Sequence, residues 1–306
     1  MQITATVEPG SFFDLGRQDP ALIRLRENGA VRALPFALME RLMKSGVPYA
    51  EHARALGSDI VHVSGSAFDW FDADLPGQIA AEINLSNYEI VEHTAERHAA
   101  LTHALERLAT VHPDGFARVR EFVRGLLWVG LKPDVRTSSL TSSSDPVLPY
   151  VIVFSDKARH HIPPNTVSDE PSSLFLAENI LHEGVHQSVS FHVLQHQVFA
   201  DGYDSKNSPK IEIAWRATQG EARNQFWEVD RAFHATCVYN QLLRFRRTEL
   251  DRDDLTAYER ANFQAAYEEG MPAVRYLMGQ LELLGEHFTD HGRELLAGLR
   301  HQTDQL

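Results

Sequence analysis

In the stretch ENILHEGVHQSVSFH, residues 178–192, His182 and His186 stand four apart, with Glu183 directly after the first. On an α-helix, residues four apart share a face, one turn above the other. Both imidazoles can therefore turn a nitrogen toward one metal ion, and Glu183 is placed to act as a base on a water held by that ion. The flanking Leu174, Phe175, Leu176, Ile180, Leu181, Val185 and Val189 are apolar. A histidine pair inside such a buried helix requires a polar partner, and a metal is the most economical one. The competing expectation is a pair of hydrogen-bonded core histidines.

Two ligands do not hold a catalytic ion; a third must come from elsewhere, with positions left open for water or substrate. His192 and His196 follow on the same helix, but neither is expected to join His186 at one ion. The later stretch TQGEARNQFWEVDRAFHATCVYNQLLRF, residues 218–245, offers Glu221 or His234. Glu221 would complete a peptidase site, and His234 a three-histidine site. Asp230 and Arg231 lie one turn before His234 on the same face. There Asp230 could orient the imidazole, and Arg231 could bind a carboxylate beside the metal. His160 and His161 precede the metal helix and could line its mouth or lie on the surface. The serine-rich TSSLTSSS, residues 137–144, could flank the site.

These residues need elements to hold them. Helical periodicity dominates the chain. Residues 19–46 read as helix interrupted near Pro35, and residues 84–112 as an amphipathic helix capped by Asn84 or Ser86. Residues 115–133 begin as helix and drift into a β-like run from Leu126 to Leu131. Residues 134–150, rich in Ser, Thr, Asp and Pro, read as a loop with room for a short strand. YVIVFSD, residues 150–156, reads as a strand. Helix is expected over residues 172–198 and again over 218–248, followed by two or three C-terminal helices, the last capped by Thr289. The fold class expected is mainly α with a small β element. A zincin-like HExxH helix would pack against a second long helix carrying the third ligand. The expected division is an N-terminal helical region, 1–133, and a metal-site region, 134–306, or else both in one integrated domain.

The 306 residues suffice for a full core. A formal charge of −13 argues against nucleic acid or an anionic membrane as partner. The single cysteine, Cys237, allows no internal disulfide, which suits a reducing compartment. The first residues lack the charged and apolar regions of a signal peptide, and no apolar run is long enough to span a bilayer. A cytoplasmic location is expected.

Four features together resemble the HExxH-type 2-oxoglutarate-dependent peptide β-hydroxylases. YVIVFSD leads through a loop to LAENILHEGVHQSVS, much like that family's Ala-Glu-x-x-x-His-Glu-x-x-His helix. IAWRA is similar to its Pro-Trp-Arg element, and FHATCVYNQL to its segment carrying a third metal histidine. HFTDHGRELLAGL is similar to its closing helix. The likeness runs from about residue 134 to the C-terminus. Ala214 replaces the family's proline before Trp215, Ala235 replaces the glycine after the third histidine, and an arginine- and proline-rich cluster is missing.

The resemblance implies Fe(II) held by His182, His186 and His234, with 2-oxoglutarate and O2 as co-substrates and a peptide as substrate. The reaction implied is β-hydroxylation in the maturation of a ribosomal peptide natural product. Arg216 matches the family motif for the oxoglutarate-binding arginine, while Arg223 and Arg231 are candidates by placement. Two other readings stay open. One is a zinc metallopeptidase with Glu183 as general base. The other is a helical binding protein with a structural metal site.

Overall fold

The computed structural model describes residues 58–71, 84–136, 140–145, 150–163, 166–213, 215 and 225–306. The expected helix over residues 19–46 lies outside these, as do Arg216, Glu221 and Arg223. In chain order the described elements are β1 (Ser58–Val63), β2 (Ser66–Phe71), β3 (Tyr88–Ile90), α1 (Ala95–Val111), α2 (Pro113–Phe122), β4 (Gly125–Leu131), β5 (Ser142–Ser143), β6 (Val151–Phe154), β7 (His161–Ile162), β8 (Thr166–Val167), α3 (Ser173–Gln195), β9 (Lys210–Glu212), β10 (Phe226–Glu228), α4 (Val229–Leu250), α5 (Ala257–Leu283) and α6 (Asp290–Asp304). The described chain is mainly helical with a smaller β component.

One mixed sheet runs in the order β1-β2-β4-β6-β5, with β3 added beside β4. Strands β2, β4 and β6 are parallel, and the edges β1 and β5 are antiparallel to their neighbours. In β4 the run Gly125–Val129 is buried, and so is all of β6. Central parallel strands covered on both faces need such unbroken apolar runs. The sheet takes strands from both sides of the Pro- and Ser-rich residues 133–149, since β4 precedes that stretch and β6 follows it. The β1–β2 turn sets Ser64 at φ 49° and Gly65 at φ 74°. Positive φ at both positions is what a two-residue hairpin loop of the I′ class requires.

Two helix starts differ from expectation. Helix α1 begins after Thr94, whose hydroxyl accepts from Arg97 N at 3.2 Å, and not at Asn84 or Ser86. Residues 88–90 are instead drawn into pairing with the end of β4, Tyr88 opposite Leu131. Helix α4 begins at Val229, because Phe226–Glu228 pairs with Lys210–Glu212; the part of the expected helix over 218–224 lies outside the described residues. In both places an open strand partner overrides helical periodicity.

Helix α3 is the central element. Ser172 caps it, accepting from Leu174 N at 3.0 Å, and α1, α2 and α4 pack around it. It is buried on nearly every side. A Cβ on Gly184 would sit 3.0 Å from Val119 Cγ2 of α2, so glycine there lets the two helices close up. Buried polar side chains on α3 are each tied to a neighbour. Asn179 holds the turn before β7 through the Ala158 and His161 carbonyls. Gln187 donates to Val151 O at the start of β6. Glu178 pairs with Arg246 of α4, both fully buried. Arg246 also donates to Ala266 O of α5 and to Pro163 O. Helix α6 starts as expected at Thr289, whose hydroxyl accepts from Gly292 N. Among the described residues, no helix is long and apolar enough to cross a membrane.

Candidate functional site

His182 and His186 project from α3 into a cavity of about 650 Å³. Their Nε2 atoms stand 3.1 Å apart, with the rings 4.8 Å apart and tilted by 51°. Two imidazole nitrogens each about 2.1 Å from one ion would be separated by about 3.0–3.4 Å for ion angles of about 90–110°. The observed spacing therefore suits a shared ion, and it equally suits one ring donating an N–H to the other. Burial drives both imidazoles down to about 3, so both are neutral at ordinary pH. Neutral imidazole is the ligating form. His182 Nδ1 is buried without a hydrogen-bond partner. Such an orphan calls for a compensating gain at the same ring.

His234 enters the same cavity from α4. Its ring lies 6.1 Å from that of His186 and nearly parallel to it. Burial lowers it to about 4, against the opposing charge of Asp230. Among the described residues, no group of three or more His, Cys, Asp or Glu side chains is gathered round one point tightly enough to grip an ion as it stands. The α3 pair fits a metal as placed, and His234 is next in line, about 1.3 Å further out by ring separation (6.1 against 4.8 Å).

The serine-rich loop forms the opposite wall. Glu183 is only 4% exposed. Its Oε1 accepts from Ser142 Oγ at 2.7 Å and its Oε2 from Ser144 Oγ at 2.6 Å. Ser142 lies on the edge strand β5, so the sheet edge sets the carboxylate's orientation. Oε1 is 3.9 Å from His182 Nε2. Each carboxylate oxygen keeps acceptor capacity beyond its serine. The TSSLTSSS composition signalled a flanking loop, but nothing in it singled out these two hydroxyls. Of the two loop histidines, His161 lines the cavity, whereas His160 sits against Ser168 O and a separate, smaller hollow.

The start of α4 supplies the charged wall. Arg231 is exposed at the mouth, with its guanidinium 5.0 Å from the centre of the Trp227 ring. Among the described residues it is the only Arg or Lys lining the cavity. Trp215 packs edge-on against Trp227. Asp230 accepts from Tyr203 and Ser205, both at 2.8 Å. It therefore reaches His234 through its charge, and the expected orienting hydrogen bond to the imidazole is replaced by these two hydroxyls. Ala235, Val238 and Leu242 supply apolar surface. His192 and His196 stay outside this cavity, as expected, and gather instead with His291. Compared with protein-family models and with curated proteins, the chain matches none.

Proposed function

We propose that the chain is a non-haem Fe(II)/2-oxoglutarate-dependent oxygenase that hydroxylates a β-carbon of an amino-acid residue in a peptide. His182, His186 and His234 would hold the iron, with the HExxH helix α3 packed in zincin-like fashion on α4, the carrier of the third ligand. When bound, the metal supplies the redox step in which O2 and 2-oxoglutarate deliver one oxygen atom to a C–H bond, with succinate and CO2 as co-products.

The chain's own residues do the remaining work. Three neutral imidazoles present lone pairs without protons to displace. Arg231 faces the far carboxylate of the keto acid with a planar fork. Arg216 and Arg223 are the other candidates for that role by motif and placement. Ala235, Val238 and Leu242 keep water from the reacting centre. Glu183, held by Ser142 and Ser144, presents fixed acceptors to a backbone or side-chain N–H of the peptide.

The observation that carries this reading is Arg231 in the same cavity as the three imidazoles. A peptidase needs an ion and a base, whereas an oxoglutarate enzyme also needs a counter-charge for a second carboxylate. One observation favours a zinc metallopeptidase as second reading: Glu183 lies 3.9 Å from His182 Nε2, where a general base would stand. Anaerobic addition of Fe(II) and 2-oxoglutarate separates the two. The oxygenase gives a weak visible charge-transfer band that His182→Ala, His186→Ala and His234→Ala each remove. It then adds one oxygen to a peptide, read by mass spectrometry. A peptidase gives no such band, releases new peptide termini, and loses activity in Glu183→Gln while keeping its metal.

A further inference from the structure

A second group of three imidazoles lies away from the cavity just described. The end of α3 carries His192 and His196, spaced like His182 and His186, and the first turn of α6 adds His291. The rings of His192 and His196 are 4.4 Å apart, those of His192 and His291 5.2 Å, and those of His196 and His291 5.7 Å. His192 Nε2 is 2.9 Å from His291 Nε2. These separations bracket the 4.8 Å of the α3 pair in the main cavity.

The two segments that carry the rings are fastened together by backbone. Thr289 N donates to Val198 O at 3.0 Å, Thr289 Oγ1 donates to Gln197 O at 2.6 Å, and Ala200 N donates to His287 O at 2.9 Å. Phe199 and Phe288 form an antiparallel bridge. A Cβ on Gly292 would fall 2.3 Å from Val198 O, so only glycine allows this approach. A rigid frame of this kind holds ligands near a working geometry before any ion arrives.

We propose that His192, His196 and His291 form a second metal site, separate from the cavity of His182 and His186, which takes Zn²⁺ and staples the start of α6 to the end of α3. Imidazole nitrogens select borderline ions such as Zn²⁺ over Mg²⁺ or Ca²⁺. Glu294, one turn on from His291, adds a negative charge close by. His196 is half-buried just past the helix end, its ring stacked on that of His192 at 29°, and must turn for a third nitrogen to meet the ion.

The test is Zn²⁺ titration of the full chain, with stoichiometry from calorimetry and the melting temperature as a second readout. The His182→Ala/His186→Ala variant should still bind one Zn²⁺ with micromolar or tighter affinity and melt higher for it. Adding His291→Asn should remove both the binding and the shift. Adding His196→Asn in its place should weaken binding at least tenfold. His291 and His196 are only partly buried, and circular dichroism confirms that each variant is folded before titration. The proposal fails if the double variant takes up no Zn²⁺, or if its Zn²⁺ survives both added substitutions. Either result is independent of whether the main cavity holds iron, zinc or nothing.

Discussion

The pair Glu178–Arg246 allows a sharp test of how α3 and α4 are held together. Both side chains are fully buried, and Arg246 meets both carboxylate oxygens through Nε at 3.1 Å. Arg246→Met keeps much of the volume and removes the charge. It leaves a buried carboxylate without its partner, at a cost of about 3–5 kcal/mol, and deprives the Ala266 and Pro163 carbonyls of a donor, at about 1 kcal/mol each. Burial pushes the Glu178 carboxyl up, the Glu249 charge adds to that, and Arg246 is the main group opposing it.

In the variant the folded chain should therefore hold Glu178 protonated while the unfolded chain ionises near its ordinary value. The penalty should then grow with pH above about 4.3, by up to about 1.4 kcal/mol per unit, until it levels off at the raised folded value. Glu178→Met/Arg246→Met removes both charges and should recover most of the loss. Urea unfolding at pH 5 and pH 7 of wild type, both single variants and the double gives the full cycle. A penalty under 1 kcal/mol, or one equal at the two pH values and additive across the pair, would refute the reasoning.

Three further outcomes are expected. Ser142→Ala and Ser144→Ala should each destabilise the chain by about 1.5–3 kcal/mol, the range for a hydrogen bond to a charged group; adding Glu183→Gln should recover part of that, measured by denaturant midpoint. Burial holds His112 at about 4, below an ordinary 6.5, so the unfolded chain takes up its proton first as pH falls. About 3 kcal/mol of stability should be lost between pH 6.5 and 4 on its account, and His112→Phe should be less acid-sensitive than wild type by that amount in unfolding titrations. Arg231→Leu should weaken 2-oxoglutarate binding about tenfold, the lower range for a charged hydrogen bond at an exposed position, while leaving Fe(II) uptake intact by equilibrium dialysis; unchanged keto-acid affinity would move that role to Arg216 or Arg223.

Local chemistry made some of this architecture readable from the residues. The apolar envelope around His182 and His186 marked α3 within a few residues of its ends, Thr289 announced α6, and YVIVFSD marked β6. Long-range pairing was not readable. Residues 88–90 and 226–228 carry helical periodicity, yet strand partners elsewhere in the chain claim them. The same limit applies to the site. Spacing of four puts His182 beside His186, because a helix is a local rule, whereas the approach of His234 depends on how α4 docks against α3. The hold of Ser142 and Ser144 on Glu183 depends on a two-residue edge strand that composition alone cannot place. The gathering of His192, His196 and His291 requires α6 to return to the end of α3 across about a hundred residues of chain.

The enclosure of α3 by helices and strands divides the tolerance of the protein unequally. Replacing almost any α3 side chain disturbs a neighbour that is itself fixed, so that helix has little freedom to drift. The rim belongs to other segments: two serines on a sheet edge, the turn around His161 and Pro163, and the opening turn of α4. Relatives that accept different molecules would be expected to vary there first, keeping the same histidine ladder beneath a changed entrance.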